Sequence, residues 1–209
     1  MVAKQKGAFD RGWDELRKQT FARQKEIGVI PANAELTPRP KEIPAWDSLN
    51  DSQKKLLSHP MEVYAAFLAQ TDYEVGRLLQ AIRAEGHLED TAIFYIVGDN
   101  GGSAEGGFEG HDGVTVDNKT QPIEQRLEHI DDLGSELFSN HYATAWGWST
   151  NTPFQWAKEV ASHLRGTPDP LIVGPATSGA RADSAPSSIT LWTLRLQSMN
   201  WPAFNTPAR

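Results

Sequence analysis

A short apolar run at residues 92–98 ends directly in an acid and an amide, Asp99 and Asn100, which two glycines follow. A continuous β-branched and aromatic run of this length predicts a buried strand of the parallel type. Open α/β sheets place their ligands at the carboxyl ends of such strands. Asp99 and Asn100 would there offer two oxygen donors to a hard cation such as Ca²⁺ or Mg²⁺. Asp-Asn-Gly is equally typical of a hairpin turn, so the pattern alone leaves both interpretations open.

Composition excludes several classes of protein and site. The chain has 209 residues, a net charge of −7 and no cysteine. The negative charge argues against nucleic acid or an anionic membrane surface as the main partner. The absence of cysteine excludes disulfides, a thiolate nucleophile and a cysteine-type zinc site. No run approaches the roughly 18 apolar residues of a membrane span.

Periodicity and breakers predict the remaining elements and an α/β fold. We expect one helix over residues 8–27 and a longer one over 61–85, which carries apolar residues at helical spacing and ends at Gly86. A helix followed by the 92–98 strand is an α/β unit. A further helix is expected over 154–164, after Thr-Pro, and a second strand over 171–173.

The region that follows the predicted strand has little periodicity. Residues 99–140 are rich in glycine and acids, and we interpret most of them as a solvated insertion. Residues 101–107 superficially resemble a phosphate-binding loop, but they lack the lysine and the helix that such a loop needs. A flexible loop is the expectation there.

Two residues of the predicted 154–164 helix could carry chemistry. Lys158 is a compact charge suited to a phosphate or sulfate oxygen, and His163 could act as an acid, a base or a hydrogen-bond donor. Taken alone, a helical lysine is usually solvated and a single histidine is usually structural. The other histidines show no metal-ligand spacing and are interpreted as structural: His59, His87, His111, His129 and His141.

Several short motifs occur in one order along residues 7–173. They are F-D-R-G-W-D at 9–14, M-E-V-Y-A at 61–65, T-D at 71–72 with V-G-R at 75–77, G-D-N-G at 98–101, S-A-E-G-G at 103–107, T-P-F at 152–154, and the stretch from Lys158 to A-S-H at 161–163. This collinear set resembles the arylsulfatase family of the alkaline-phosphatase superfamily. The resemblance implies an α/β fold that forms part of the mixed-sheet catalytic domain of that superfamily.

The same resemblance implies a site and a reaction. The Asp99–Asn100 pair would ligate a divalent cation, usually Ca²⁺, and Lys158 would bind the sulfate group of a small-molecule sulfate ester. His163 falls in the family's S-H-x-G-G-T segment and would lie near the sulfate. In the family, a formylglycine hydrate attacks sulfur. Phosphoryl transfer within the same superfamily and a non-catalytic remnant stay open as alternatives.

The chain departs from the family pattern in two ways. G-G-T-R appears here as R-G-T-P at residues 165–168, and nothing fits the C/S-x-P-x-R motif that carries the formylglycine. The two metal-binding acids that normally precede that motif are also missing. We therefore expect residues 1–173 to be the C-terminal portion of a sulfatase catalytic domain, with about half of the metal site and without the nucleophile.

Residues 174–209 look like a product of the wrong reading frame. They have no helical or strand periodicity, and the family pattern stops after Val173. Codons for residues 189–197, read in a shifted frame, can encode H-H-V-V-D-I-A-P-T, which the family expects at this point. Trp192 and Met199 have single codons, and both give the expected residue class in that frame. A frameshift near Val173 is the prediction, and a segment under no selection for a core should have no coherent packing.

Overall fold

The computed structural model describes residues 1–113, 121–160, 169 and 171–174. Across these described residues, four α-helices and two strands form an α/β structure: α1 (Gly12–Glu26), α2 (Asp51–Ala84), β1 (Ile93–Ile96), α3 (Ile123–Glu128), α4 (Thr144–Thr150) and β2 (Leu171–Gly174). Single 3₁₀ turns cover Val2–Lys4, Trp46–Ser48 and Ile130–Asp132. Of the helices in this described part, none is long and apolar enough to cross a membrane.

Helix α1 forms within the predicted 8–27 segment and packs through a tryptophan cluster. Trp13 meets Trp46 at 4.7 Å and Trp146 at 5.5 Å between ring centroids, both edge to face. Such aromatic pairs bury large areas in preferred geometry. Gly12 starts the helix at φ +79°, and a Cβ there would lie 2.0 Å from Trp46. This cluster joins α1 to α4, which lies next to the candidate site.

Helix α2 contains the predicted 61–85 helix but starts ten residues earlier, at Asp51. Asn50 and Gln53 form a capping box, which satisfies two free backbone N–H groups at the helix start. The buried residues of α2 all lie between Leu56 and Ala66. Four of the later large apolar residues are exposed: Phe67, Leu68, Tyr73 and Leu78.

The prediction of a buried parallel strand is wrong in its pairing and burial. β1 pairs antiparallel with β2, with Ile93 opposite Gly174 and Ile96 opposite Leu171. Burial along β1 alternates between half-buried and exposed residues. A two-stranded antiparallel ribbon leaves one face to solvent, which accounts for the alternation. The second strand itself is confirmed at the predicted place.

The solvated-insertion prediction for residues 99–140 is wrong in part. Helix α3 lies in this region, and its Arg126 is 4% exposed and bonded to Asp112 at 2.6 Å. The prediction of a flexible 101–107 loop is also wrong. A Cβ on Gly102 would lie 2.2 Å from the carbonyl oxygen of Gly147 in α4, so the loop packs directly on that helix.

The predicted helix over 154–164 does not form in its described part, because residues 151–160 adopt turns and bends. In a helix, the N–H of Lys158 would donate to the carbonyl of Phe154. Instead it donates to the carbonyl of Gly102 at 3.0 Å, and the Phe154 carbonyl accepts from Arg17 at 2.9 Å. Long-range bonds therefore replace the helical ones. His163 lies outside the described residues, as does the segment predicted to be frameshifted, 174–209, apart from its first residue, Gly174.

Candidate functional site

A cavity of about 710 Å³ brings several polar side chains together. The residues around it include Asp99, Asn100, Glu105, His141, Tyr142 and Lys158. They come from the loop after β1, the packed glycine loop, the segment before α4 and the turns after α4. Three of the four predicted site residues thus share one cavity, and the fourth, His163, lies outside the described residues.

Two residues, Val97 and Gly98, separate the end of β1 from a tight bend at Asp99 and Asn100. The N–H of Asp99 donates to the carbonyl of Val97 at 2.7 Å, and the N–H of Gly101 donates to Asp99 Oδ1 at 3.2 Å. The partner of β1 is β2, so this bend is not the turn of a hairpin. Both side chains are half-buried and line the cavity.

Lys158 reaches the same cavity from a turn. Its Nζ lies 3.0 Å from Glu105 Oε1 and 3.8 Å from Glu159 Oε1, and its side chain is 26% exposed. The hydrogen bond from Lys158 is the main reason that the pKa of Glu105 lies below its usual range. At neutral pH the Glu105 carboxylate is therefore charged.

Asn151 and Arg17 fix the turn that carries Lys158. Asn151 is fully buried, accepts from the N–H of Gly102 at 2.5 Å and donates to the carbonyl of Trp156 at 2.7 Å. Arg17 is 1% exposed and donates to the carbonyls of Trp148 at 2.8 Å and Phe154 at 2.9 Å. Burial lowers the pKa of Arg17 to about 10, which leaves it charged at neutral pH.

Tyr142 is a buried neighbour of the Asp99 bend. Its hydroxyl accepts from the N–H of Ser103 at 3.0 Å. Burial raises the pKa of Tyr142 to about 12, and the charges of Tyr64, Asp99 and Glu105 act in the same direction. Tyr142 is therefore neutral across the working pH range, and its hydroxyl proton stays available as a hydrogen-bond donor.

His141 also lines the cavity, although sequence reasoning left it as structural. Its backbone forms an isolated antiparallel bridge with His111, with N–H donations of 2.8 Å and 3.1 Å, and its Nδ1 lies 2.9 Å from the carbonyl of Tyr142. Burial is the main cause that lowers the pKa of His111, with His141 acting in the same direction. Glu105, His141, Tyr142 and Asn151 were missed as site residues. For Glu105, a charged residue inside the glycine-rich segment was the one sequence signal that could have indicated a role in the site.

The donors present fit part of a hard-cation site. A carboxylate and an amide oxygen on adjacent residues suit Ca²⁺, which takes six to eight oxygen ligands in general. Asp99 is additionally oriented by the N–H of Gly101. Across residues 1–113, 121–160, 169 and 171–174, no group of three or more histidine or acidic side chains is placed to hold a metal ion. Among the described residues, the pair thus offers two oxygen donors and not a complete set of cation ligands.

Asp99, Asn100 and Lys158 thus line one cavity. A family model described as Sulfatase matches residues 3–193. The chain belongs to the sulfatase family. Its helices and small sheet are consistent with a partial mixed α/β domain of the alkaline-phosphatase type.

Two relatives show how much of a whole protein the chain represents. It is 28% identical over 160 residues to an uncharacterized sulfatase of Schizosaccharomyces pombe, across 75% of this chain and 28% of that protein. It is 26% identical over 171 residues to an arylsulfatase of Klebsiella aerogenes, across 81% of this chain and 35% of that protein. The chain thus spans about a third of the length of the curated relatives it matches.

Proposed function

We propose that this chain is part of the catalytic domain of a sulfuric ester hydrolase of the arylsulfatase type. Asp99 and Asn100 contribute ligands to Ca²⁺, and Lys158 binds the sulfate group of a small-molecule ester. The observation that carries the proposal is the hydrogen bond from the N–H of Lys158 to the carbonyl of Gly102, at 3.0 Å. It ties the lysine to the loop that carries the Asp99–Asn100 pair.

In this proposal the positively charged residue binds the sulfate, and the oxygen-bearing residues bind the cation. Lys158 donates to the sulfate oxygens and stabilises the negative charge that develops on them in the transition state. Asp99 and Asn100 hold the cation, which when bound neutralises and orients the sulfate. His163 is proposed to lie near the sulfate, on the strength of the motif that contains it.

The nucleophile is proposed to be a formylglycine on a C/S-x-P-x-R motif. The printed sequence contains no match to that motif. Residues 1–209 by themselves are therefore expected to bind a sulfate ester without hydrolysing it. Residues 1–209 are thus proposed to bind the ester, whereas the covalent step needs the formylglycine.

The test is a titration of the chain with p-nitrophenyl sulfate in the presence of Ca²⁺, followed by NMR. We expect chemical-shift changes at Lys158 and at the amides near Asp99, and no release of p-nitrophenol. The variant Lys158→Met should lose this binding. Lys18→Met is the matched control, because Lys18 is 68% exposed and pairs with Glu15 on α1.

Two results would count against the proposal. Unchanged ester binding by Lys158→Met would remove the lysine from the site. Turnover of p-nitrophenyl sulfate by the purified chain would show that the covalent step does not need the missing motif.

A further inference from the structure

Two carboxylates flank the Lys158 ammonium, and they differ in how they are held. Glu105 Oε1 lies 3.0 Å from Nζ, and Glu159 Oε1 lies 3.8 Å from it. The second oxygen of Glu105 accepts from Ser103 Oγ at 3.2 Å, and Ser103 Oγ accepts from the N–H of Glu105 at 3.1 Å. The glutamate that lies closer to the lysine is therefore also fixed on its other side.

The anchor of Glu105 is itself buried. Ser103 is 9% exposed, and its N–H donates to the hydroxyl of Tyr142, which is 7% exposed. The hydrogen bond from Ser103 also lowers the pKa of Glu105, and a ligand that binds the Lys158 ammonium does not compete for this contact. Both carboxylates are exposed, Glu105 at 60% and Glu159 at 72%, so they differ in their distance from Nζ and in the Ser103 contact that holds Glu105.

A fixed negative charge discriminates between ligands by their own charge. A sulfate monoester carries one negative charge and a phosphate monoester carries close to two above about pH 7. Both can accept hydrogen bonds from Lys158, but the second charge of the phosphate adds repulsion from the Glu105 carboxylate. The Glu105 carboxylate beside the lysine thus weakens the binding of a phosphate ester more than the binding of a sulfate ester.

We propose that Glu105 is a specificity-determining residue, whose carboxylate beside Lys158 selects sulfate monoesters, which carry one negative charge, against phosphate monoesters, which carry two. This rests on the proposed function, because it takes Lys158 as the group that binds the ester. It adds a residue that sets which of two chemically similar esters the site accepts.

The experiment compares the affinities of p-nitrophenyl sulfate and p-nitrophenyl phosphate for the same chain, measured by NMR titration at about pH 8 with the divalent cation held constant. In Glu105→Gln we expect the affinity for the phosphate ester, relative to that for the sulfate ester, to rise by about fivefold. This is the size of an exposed charge interaction. Glu159→Gln is the matched control, and its ratio should stay within about twofold of the starting chain.

Amide spectra check that each variant keeps the fold, which we expect because Glu105 is exposed. An unchanged ratio in Glu105→Gln, or an equal shift in both variants, overturns the specificity proposal.

The variant Lys158→Met distinguishes a failure of the specificity proposal from a failure of the proposed function. If it loses both esters while the ratio in Glu105→Gln is unchanged, Lys158 still binds the ester and only the role of Glu105 fails. If it binds both esters normally, the proposed function fails and the specificity proposal fails with it.

Discussion

Asn151 and Gly102 are joined by a buried hydrogen bond of 2.5 Å, although 49 positions separate them in the chain. The same Asn151 side chain donates to the carbonyl of Trp156 at 2.7 Å. Lys158, two residues further on, returns to Gly102 through its own N–H. One amide therefore sets the separation between the Asp99–Asn100 bend and the lysine.

We predict that Asn151→Ala weakens the binding of p-nitrophenyl sulfate by about tenfold and lowers the free energy of unfolding by about 2 kcal/mol, because one buried and one partly buried hydrogen bond are lost. NMR titration and urea unfolding measure the two effects. Asn50→Ala is the control: it removes the cap of α2, should cost about 1 kcal/mol, and should leave ester binding unchanged. Equal ester affinities for both variants would refute the positioning role of Asn151.

Arg17 should be essential for the stability of the turn after α4. Its guanidinium stacks on Trp148 at 4.3 Å and donates to carbonyls on both sides of Pro153. The single ammonium of a lysine cannot reproduce this fork. Arg17→Lys should therefore lower the free energy of unfolding by about 3 kcal/mol, measured in urea.

The control for that loss is Arg23→Lys on the same helix. Arg23 pairs with Glu26 at 2.7 Å, but both side chains are more than 60% exposed. The expected change is within about 0.5 kcal/mol. Comparable losses from both variants would mean that the buried contacts of Arg17 are not what stabilises the turn.

The lowered pKa of His111 predicts a pH dependence of stability. In the folded state the neutral form is favoured by burial, with His141 and Arg126 acting in the same direction and Asp112 against it. The unfolded chain then binds the proton more readily, so stability is lost as the pH falls through the ordinary histidine pKa of 6.5 toward the lower pKa of the folded state. Below both values no further loss is expected from this group.

The measurement is the difference in unfolding free energy between the starting chain and His111→Gln, taken across this pH window. The difference should shrink as the pH falls, because the variant has no imidazole to protonate. A difference that stays constant with pH would show that His111 does not titrate abnormally.

The frameshift remains a prediction, and sequencing the gene tests it. The family match covers residues 3–193, so the reading frame over 174–193 is the part to determine. We expect independent clones to show an inserted or deleted base near the codon of Val173, after which the gene encodes H-H-V-V-D-I-A-P-T. A continuous frame in all clones, identical to the printed sequence, would refute it.

Local sequence patterns predicted the elements that depend on local interactions. Helix α1, most of α2 and the position of β1 follow from periodicity and breakers. The Asp99–Asn100 bend and its neighbour Lys158 were found because several motifs occur in one order. That order, rather than any one spacing, singled out residues that share a cavity.

The errors occur where distant residues decide the local structure. The sequence around Lys158 predicts a helix, but the structure has a turn there. The carbonyl of Phe154, which would accept the helical hydrogen bond, instead accepts from the side chain of Arg17, 137 positions away. The partner of β1 lies beyond the whole glycine-rich region. Glu105 and His141 gain their place in the site from packing against α4 and from the His111 bridge, which no local pattern encodes.

The proposed function requires that Asp99, Asn100 and Lys158 form one site, in which a cation and a sulfate group lie side by side. Its most direct test is the coupling between two ligands: the dissociation constant of p-nitrophenyl sulfate measured with and without Ca²⁺. We predict that Ca²⁺ tightens ester binding by at least about fivefold, that the ester tightens Ca²⁺ binding by the same factor, and that Asp99→Asn removes the coupling. Ester affinities that are the same with and without Ca²⁺ would contradict the account.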